Sequence, residues 1–282
     1  MESNKINYSY PKLRNCNVAI IGLGYVGLPL AVELAKKQKC FSTGKDLNRK
    51  IIGYDIDQNR LKELKNCFDK TKEISKNVLS RIVFNELTSD IHKLTFADVF
   101  IITVPTPIDK QNKPNLAALK SATRTVAKVL KMKKEKSSET NNNHVPIVIY
   151  ESTVYPGTTE EICIPIIESE SGLFCDDLKS DKSFSCGYSP ERINPGDKEH
   201  QIKDIVKVTS GSNKEVSRWI NDFYSSIINA GTYSAESIKI AEAAKIIENT
   251  QRDINIALVN ELAIIFKLLN IDTLDVLKAA ST

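Results

Sequence analysis

The stretch VAIIGLGYVGLPLAVELA (residues 18–35) decides the fold, because it runs from an apolar strand through a glycine turn into a helical pattern. Gly22 allows the tight turn, Gly24 lets a pyrophosphate approach the backbone, and Gly27 lets the helix pack closely against the strand. The N-terminus of that helix offers N–H groups and the positive end of its dipole to the phosphates. The stretch therefore predicts a dinucleotide-binding unit. FAD binding, or a nucleotide-binding fold without catalysis, is the alternative that this motif leaves open.

A carboxylate follows the second predicted strand, in the segment GYDID (residues 53–57). Asp55 can accept hydrogen bonds from both hydroxyls of an adenosine ribose, and it would repel a 2′-phosphate. The residue after it is Ile56 rather than an arginine, so the segment favours NAD over NADP as the cofactor. Asp55 comes later than the usual spacing of about twenty residues because residues 39–50 look like an inserted loop.

Short β-branched runs alternate with helical patterns over most of the chain. The predicted strands are 17–21, 51–54, 99–104, 147–150, 184–188 and 205–209. The predicted helices lie near 28–37, 60–65, 116–131 and 157–168. This alternation predicts an α/β fold, a Rossmann-type doubly wound sheet with helices on both faces.

The pattern changes after residue 236, where apolar residues recur at helical spacing. They are Ile247, Ile254, Leu258, Leu262, Ile265 and Leu269. No glycine or proline interrupts residues 235–267, so a long central helix is expected, and a second helix is predicted over 272–280. We interpret the long helix (235–269) as part of an all-α dimerisation region and expect a homodimer. The predicted domains are an NAD-binding Rossmann-type domain (1–212) and the incomplete start of a central helical domain (213–282).

Composition excludes several other classes of protein. With 41% hydrophobic and 26% charged residues, the chain has the make-up of an ordinary soluble globular protein. Its formal net charge of +4 comes partly from a lysine-rich run without interleaved aromatic residues, so no nucleic acid partner is expected. No cysteine pair or histidine cluster has the spacing of metal ligands. We expect no metal, no membrane partner, no signal peptide and a cytoplasmic location.

Three further motifs end predicted strands, where ligands bind in open α/β sheets. They are VFIITVPTPID (99–109), YESTVYPGTT (150–159) and YSPERINPGD (188–197). Together with GLGYVGLPLA and YDID, they resemble the UDP-glucose/GDP-mannose 6-dehydrogenase family. The segments DKTKE (69–73) and SPERINPGDKEH (189–200) resemble more narrowly its UDP-N-acetylhexosamine branch. The resemblance covers nearly the whole chain from Asn17.

The resemblance implies a function: NAD-dependent oxidation of the C6 hydroxyl of a UDP-N-acetylhexosamine to the uronic acid, a polysaccharide precursor. Members of the family oxidise the alcohol to the aldehyde and then to the acid, reducing two NAD. The implied partner is therefore a UDP-sugar substrate. The implied cofactor-binding residues are Gly22, Leu23, Gly24, Tyr25, Val26, Gly27, Asp55, Arg60, Val104, Pro105, Thr106, Ser152 and Thr153.

The resemblance also implies catalytic residues. Thr153 lies where the family positions a catalytic water, and Glu191 matches the acid/base carboxylate. Lys245 and Asn249 match a Lys-x-x-x-Asn helix whose ammonium and amide share one face and can stabilise negative charge on one oxygen. The implied substrate-binding residues are Glu191, Arg192, Asn194, Lys245 and Asn249. A solvated helix face and a turn-capping carboxylate are the alternatives for these residues taken alone.

One element of the family is absent from this sequence. The family forms a thioester on a cysteine in a Gly-Gly-x-Cys loop, and no such loop occurs here. In the family that loop follows the helix that here ends at Thr282, and a UDP-binding domain comes after it. We therefore expect a C-terminally truncated, cofactor-binding part that is inactive alone, because hydride removal from an aldehyde needs a tetrahedral adduct first. The alternatives are a complete β-hydroxyacid-type NAD dehydrogenase and a non-catalytic NAD-binding dimerisation module.

Overall fold

Within the described residues, a nine-stranded sheet forms the centre of the first of two units into which the chain divides, Met1–Glu242 and Ala243–Thr282. The computed structural model describes residues 9–36, 39–137, 144–176, 182–192 and 202–282. The strands are β1 (Asn17–Ile21), β2 (Lys50–Tyr54), β3 (Glu86–Thr88), β4 (Val99–Ile102), β5 (Ile147–Tyr150), β6 (Phe174–Cys175), β7 (Ser183–Tyr188), β8 (Lys207–Gly211) and β9 (Thr232–Ser234).

The strand order is β3-β2-β1-β4-β5-β7-β8-β9, with β6 paired to β7 outside this path. All neighbours from β3 to β7 run parallel, β8 is antiparallel to β7, and β9 is parallel to β8. The order reverses direction at β1, whose carboxyl end therefore faces a crevice between the connections to β2 and β4. This topology confirms the predicted Rossmann-type sheet.

The helices are α1 (Gly27–Ala35), α2 (Gln58–Lys65), α3 (Lys76–Leu79), α4 (Ala117–Ser137), α5 (Ile164–Ser171), α6 (Lys214–Ser225), α7 (Ile238–Leu268) and α8 (Thr273–Ala280). Short 3-10 turns lie at Ile91–Phe96 and Ile202–Asp204, and a π-helical turn at Thr159–Cys163 leads directly into α5. The helix predicted near 157–168 therefore begins as a π turn.

Two apolar layers cover the two faces of the sheet. Successive side chains of a strand point to opposite faces, so Val18 and Ile20 of β1 belong to one layer and Ala19 and Ile21 to the other. Residues of α1, α2 and α6 complete the first layer, and residues of α4 and α5 complete the second. The strands at the centre of the sheet are apolar at nearly every position because both of their faces are buried.

Helix α6 belongs to the first unit. Asn213 caps the helix by accepting hydrogen bonds from the N–H groups of Glu215 and Val216. One face of α6, which includes Ile220 and Phe223, is fully buried in the first apolar layer. The unit therefore continues to Glu242, because the sheet needs this helix to cover β7 and β8.

Helix α7 confirms the predicted long helix, and its first residues belong to the first unit. In the second unit, large apolar side chains on α7 and α8 are exposed, among them Ile254, Leu258, Ile265 and Leu274. Across the described part of the chain, no helix is both long and apolar enough to cross a membrane.

Candidate functional site

The glycine turn between β1 and α1 is closed by tight backbone packing. Gly22 adopts a φ of +96°, which side chains disfavour, and its N–H donates to the carbonyl of Tyr54 at 2.8 Å. A Cβ on Gly27 would lie 1.9 Å from the carbonyl oxygen of Gly22 and 2.4 Å from Oγ1 of Thr103. The same Thr103 hydroxyl donates to the Gly22 carbonyl at 2.7 Å. Helix α1 can therefore approach the turn this closely only with glycine at position 27.

The outer side of the turn is open. No atom lies within 4 Å of the position that a Cβ on Gly24 would take. Helix α1 begins beside this space, and its N-cap residue, Val26, makes no side-chain hydrogen bond to the first turn. Leu23 and Val26 have buried side chains and present only backbone groups, whereas Tyr25 is exposed. Open space next to a helix N-terminus fits the pyrophosphate of a dinucleotide.

Asp55 lies at the carboxyl end of β2, beside the turn. Its Oδ2 accepts a hydrogen bond from the N–H of Leu23 at 2.8 Å, and its Oδ1 accepts one from the N–H of Asp57 at 2.9 Å. These contacts fix the orientation of the carboxylate. Each oxygen of an ionised carboxylate has a second lone pair, so Asp55 keeps capacity to accept the two hydroxyls of a ribose.

Arg60 lies behind the turn, in the interior of the first unit. Its Nε donates to the carbonyl of Leu23 at 2.8 Å, and its Nη2 lies 2.7 Å from Oδ1 of Asp69. The side chain of Arg60 is 3% exposed and that of Asp69 is 0% exposed. Arg60 thus braces the glycine turn from inside through Leu23, and its role in cofactor binding stays a prediction.

Asp69 is the far end of this brace. It accepts hydrogen bonds from the N–H and hydroxyl of Thr71 and from the N–H groups of Glu73 and Ile74, at 2.7 to 3.1 Å. Burial by itself would raise the pKa of Asp69, but these hydrogen bonds and Arg60 outweigh it and lower that pKa below its ordinary value. The sequence did contain a signal for this role, because the Asp-x-Thr pattern is typical of a side chain that caps its own loop.

The ends of β4 and β5 are joined by two side-chain hydrogen bonds. Thr106 Oγ1 donates to the carbonyl of Thr153 at 2.5 Å, and Ser152 Oγ donates to the carbonyl of Val104 at 2.6 Å. Pro105, between them, is exposed. The structure therefore brings together the five residues that the sequence assigns to the nicotinamide side, at the same edge of the sheet as the glycine turn.

A buried group of charges lies farther along this edge, and we call it the Glu151–Lys207–Glu191 cluster. Lys207 Nζ is 2.8 Å from Oε2 of Glu151 and 3.4 Å from Oε2 of Glu191. Tyr224 donates its hydroxyl to the other oxygen of Glu151. All four residues are buried. Sequence reasoning found Glu191 and missed Glu151 and Lys207, although charged residues within apolar strand patterns were a usable signal.

Glu242, near the start of α7, contacts the segment that follows β5. Its carboxylate accepts hydrogen bonds from the N–H of Gly157 at 2.6 Å and from the N–H and hydroxyl of Thr159 at 2.9 and 2.7 Å. Burial is the main cause that raises the pKa of Glu242. The contact fixes the start of α7 against the segment that follows Thr153.

The remaining predicted residues lie in three places. Lys245 and Asn249 are one turn apart on α7 in the second unit, so they share one face of that helix. Arg192 donates its N–H to Oε1 of Glu191 at 2.6 Å and its Nη1 to the carbonyl of Val206 at 3.4 Å. Asn194 lies outside the described residues. No group of three or more potential metal ligands occurs in the described ranges.

Comparison with protein families gives two matches. Residues 16–228 match the NAD binding domain of the UDP-glucose/GDP-mannose dehydrogenase family, and residues 239–282 match the central domain of the same family. The first match covers most of the chain and confirms NAD as the cofactor. The second begins within one residue of α7, which accords with the change of pattern seen in the sequence.

Individual relatives and solved structures agree with this match. Protein CapL of Staphylococcus aureus is 52% identical over 268 residues, covering 95% of this chain and 56% of that protein. The UDP-N-acetyl-D-glucosamine 6-dehydrogenase of Pseudomonas aeruginosa is 49% identical over 270 residues, covering 96% and 57%. The structure of UDP-D-ManNAc dehydrogenase from Pyrococcus horikoshii aligns with a TM-score of 0.74 at 30% identity, covering 94% and 57%. The chain thus spans little more than half the length of the relatives it matches.

Proposed function

Because the chain belongs to the UDP-glucose/GDP-mannose dehydrogenase family, we propose that it is the cofactor-binding part of a UDP-N-acetylhexosamine 6-dehydrogenase. The reaction is the NAD-dependent oxidation of the C6 hydroxyl to the uronic acid, a precursor for polysaccharide synthesis. The observation that carries this proposal is the similarity of nearly the whole chain to a UDP-N-acetyl-D-glucosamine 6-dehydrogenase. Family membership supports this function over the β-hydroxyacid alternative.

The arrangement at the edge of the sheet supports the following residues as those that hold NAD. The backbone of Gly22–Gly27 and the N-terminus of α1 receive the pyrophosphate, for which Gly24 leaves space. Asp55 binds the adenosine ribose. Val104–Thr106 and Ser152–Thr153 line the nicotinamide. NAD held there would supply the hydride acceptor for the oxidation at C6.

The chemistry of the chain's own residues is proton transfer and charge stabilisation. Glu191 removes the proton from the C6 hydroxyl as the hydride leaves, and Thr153 positions a water. Lys245 and Asn249, on one face of α7, stabilise negative charge that develops on the reacting oxygen. Arg192 and Asn194 bind the nucleotide sugar beside Glu191.

The 282-residue chain by itself binds NAD but does not complete the four-electron oxidation. The sequence contains no Gly-Gly-x-Cys loop, and the described cysteines are free thiols in other contexts. Burial raises the pKa of the Cys16 and Cys163 thiols to about 11, so neither is a ready nucleophile. The second oxidation therefore needs a cysteine that these 282 residues do not supply.

The chain assembles as a homodimer through the long helix, residues 235–269. Exposed isoleucine and leucine side chains on α7 and α8 support this assembly, because a soluble protein gains free energy by covering such a surface. A reducing, cytoplasmic location is supported by the six free cysteines, none of which forms a disulfide in the described residues.

A chimera tests the proposed function. The chain is fused to the part of the Pseudomonas aeruginosa relative that it does not cover, and NADH formation is measured with UDP-N-acetylglucosamine, UDP-N-acetylgalactosamine and UDP-glucose. We expect the chimera to form the uronic acid from an N-acetylhexosamine and the unfused chain to form none. The matched control is the same chimera with Asp55→Ala, which should lose activity at limiting NAD.

Other outcomes would contradict the proposal in different ways. Efficient formation of a UDP-hexosaminuronic acid by the unfused chain would show that it is not a part. Oxidation of a small 3-hydroxy acid, with no response to nucleotide sugars, would favour the β-hydroxyacid alternative. A folded chimera that binds NAD and is inactive with every substrate would indicate a non-catalytic module.

A further inference from the structure

Strand register places Lys207 opposite Glu191, the proposed acid/base carboxylate. In the antiparallel pair of β7 and β8, Tyr188 lies opposite Ser210. Extending this register by three residues on each strand puts Lys207 opposite Glu191. Lys207 of β8 therefore lies beside Glu191, which follows the end of β7, and its ammonium group reaches the Glu191 carboxylate.

Strand β5 supplies the second carboxylate from the other side. Tyr150 of β5 is the register partner of Tyr188 of β7, so Glu151 follows β5 at the same level of the sheet. Its N–H donates to the carbonyl of Ile102 at 2.9 Å, which keeps its backbone in line with β4. The cluster is thus built from three neighbouring strands.

Every carboxylate oxygen in the cluster has a donor. In Glu151, Oε1 accepts from the hydroxyl of Tyr224 and Oε2 accepts from Lys207. In Glu191, Oε1 accepts from the N–H of Arg192 and Oε2 accepts from Lys207 at 3.4 Å. Both oxygens of Glu191 therefore accept hydrogen bonds, Oε1 from the neighbouring backbone N–H and Oε2 from Lys207.

The cluster holds two carboxylates and one ammonium group, that of Lys207. Burial raises the pKa of Glu151, an effect that Lys207 opposes. Burial would lower the pKa of Lys207, but the two carboxylates outweigh it and raise that pKa, so Lys207 remains charged. Without Lys207, two buried carboxylates would face each other, and one of them would have to take up a proton.

We propose that Lys207, anchored by Glu151, is a positioning residue that fixes the Glu191 carboxylate in place and supplies the one positive charge that the two buried carboxylates share. In the proposed function, on which this inference rests, Glu191 must be a carboxylate before it can accept the proton of the C6 hydroxyl. Glu151 serves as a second anchor that holds Lys207 at the edge of the sheet. Tyr224 holds Glu151 in turn.

The test measures the charge of the two carboxylates directly in the 282-residue chain. Glutamate labelled with ¹³C at the side-chain carboxyl is incorporated, and the carboxyl resonances are followed at neutral pH. Glu191→Gln and Glu151→Gln assign the two resonances. The variants are Lys207→Met, which removes the charge, and Lys207→Arg, which conserves it. Lys110→Met, at an exposed lysine, is the matched control.

We expect the same pair of Glu151 and Glu191 resonances in the wild type, in Lys207→Arg and in Lys110→Met. In Lys207→Met, the resonance of Glu191 or Glu151 should move to the position of a protonated carboxyl group, corresponding to one proton per chain. If both carboxyls remain ionised in folded Lys207→Met, the inference is wrong. Should Lys207→Met not fold, Lys207→Gln, which retains a donor without the charge, gives the same discrimination.

The result is independent of whether the proposed function holds. NAD binding is measured on the same samples by calorimetry, and Lys207→Met should bind NAD as the wild type does, because Lys207 is not among the residues proposed to bind NAD. An unchanged carboxyl signature with intact NAD binding would overturn only the role of Lys207. A changed signature in a chain whose chimera is inactive would leave the cluster established and overturn the proposed function.

Discussion

Replacing Gly24 with alanine should weaken NAD binding without destabilising the fold. No atom lies within 4 Å of the added Cβ, and the φ of Gly24 is outside the left-handed region. The methyl group therefore meets no protein atom and reduces the conformational entropy of the unfolded chain, which stabilises a protein by about 0.4–1 kcal/mol. The thermal midpoint of the variant should equal or slightly exceed that of the wild type.

The same methyl group should weaken the binding of NAD. The space beside Gly24 is where the pyrophosphate approaches the backbone, so the methyl group should displace it from one charge-assisted hydrogen bond. Such a bond contributes about 1.5–3 kcal/mol. At about 1.4 kcal/mol for each factor of ten, NAD should bind roughly 10- to 150-fold more weakly. Calorimetric titration of the 282-residue chain with NAD measures this change.

Gly27→Ala is the matched control, since it adds the same methyl group one turn away. Its Cβ would lie 1.9 Å from the Gly22 carbonyl oxygen, so the turn or the helix must move. Overpacking of this kind costs about 1–3 kcal/mol, which corresponds to a thermal midpoint lower by about 2–12 °C. The reasoning is refuted if Gly24→Ala binds NAD as the wild type does, or if it destabilises the chain as much as Gly27→Ala.

Further predictions concern the ribose site, the brace behind the turn and the long helix. Asp55→Ala should weaken NAD binding by about 1.5–3 kcal/mol, because hydrogen bonds to a charged carboxylate are lost. Calorimetry with NAD and with NADP checks this. Equal weakening for both cofactors would contradict a role of Asp55 at the 2′-hydroxyl. Asp69→Asn should destabilise the chain by up to about 3–5 kcal/mol, because it removes the nearer of two carboxylates that pair with buried Arg60 and leaves only Glu63, at 3.6 Å. The pKa of Asp69 is lowered in the folded state, so its contribution to the free energy of unfolding is present at neutral pH and lost as the pH falls below about 4. Urea denaturation of wild type and Asp69→Asn across this range should converge at low pH, and parallel profiles would argue against the assignment. Leu258→Glu should reduce self-association, which sedimentation measures with Lys110→Met as the control. An unchanged mass would exclude this part of α7 from the dimer contact.

The brace formed by Arg60 and Asp69 links the glycine turn to the loop of residues 69–74. The carbonyl of Leu23 is held from inside by Arg60, while the N–H of the same residue is held by Asp55. The turn is therefore fixed on both of its peptide groups before any ligand arrives. Preorganisation of this kind lowers the entropy that binding would otherwise cost.

Local pattern alone determined the positions of the elements that carry a clear hydrophobic pattern or a glycine turn. The predicted strands 17–21 and 147–150 coincide with β1 and β5, and the glycine turn and the long helix occur where their patterns lie. Short strands were missed, among them β3 and β9, because three residues are too few for a period to be recognised. The predicted strand 99–104 ends at residue 102, where the turn toward Pro105 begins.

Tertiary structure decided which side of the turn Arg60 occupies and which residues accompany Glu191. Arg60 follows the acidic strand end, and its contacts with Leu23, Glu63 and Asp69 hold its guanidinium in the interior. Lys207 reaches Glu191 because β8 runs antiparallel to β7, a pairing that no local pattern contains. Periodicity records the contacts a residue makes along its own helix or strand, whereas strand register and packing between elements join residues far apart in the chain. The residues of the cluster are therefore visible in the sequence, but their association follows from the fold.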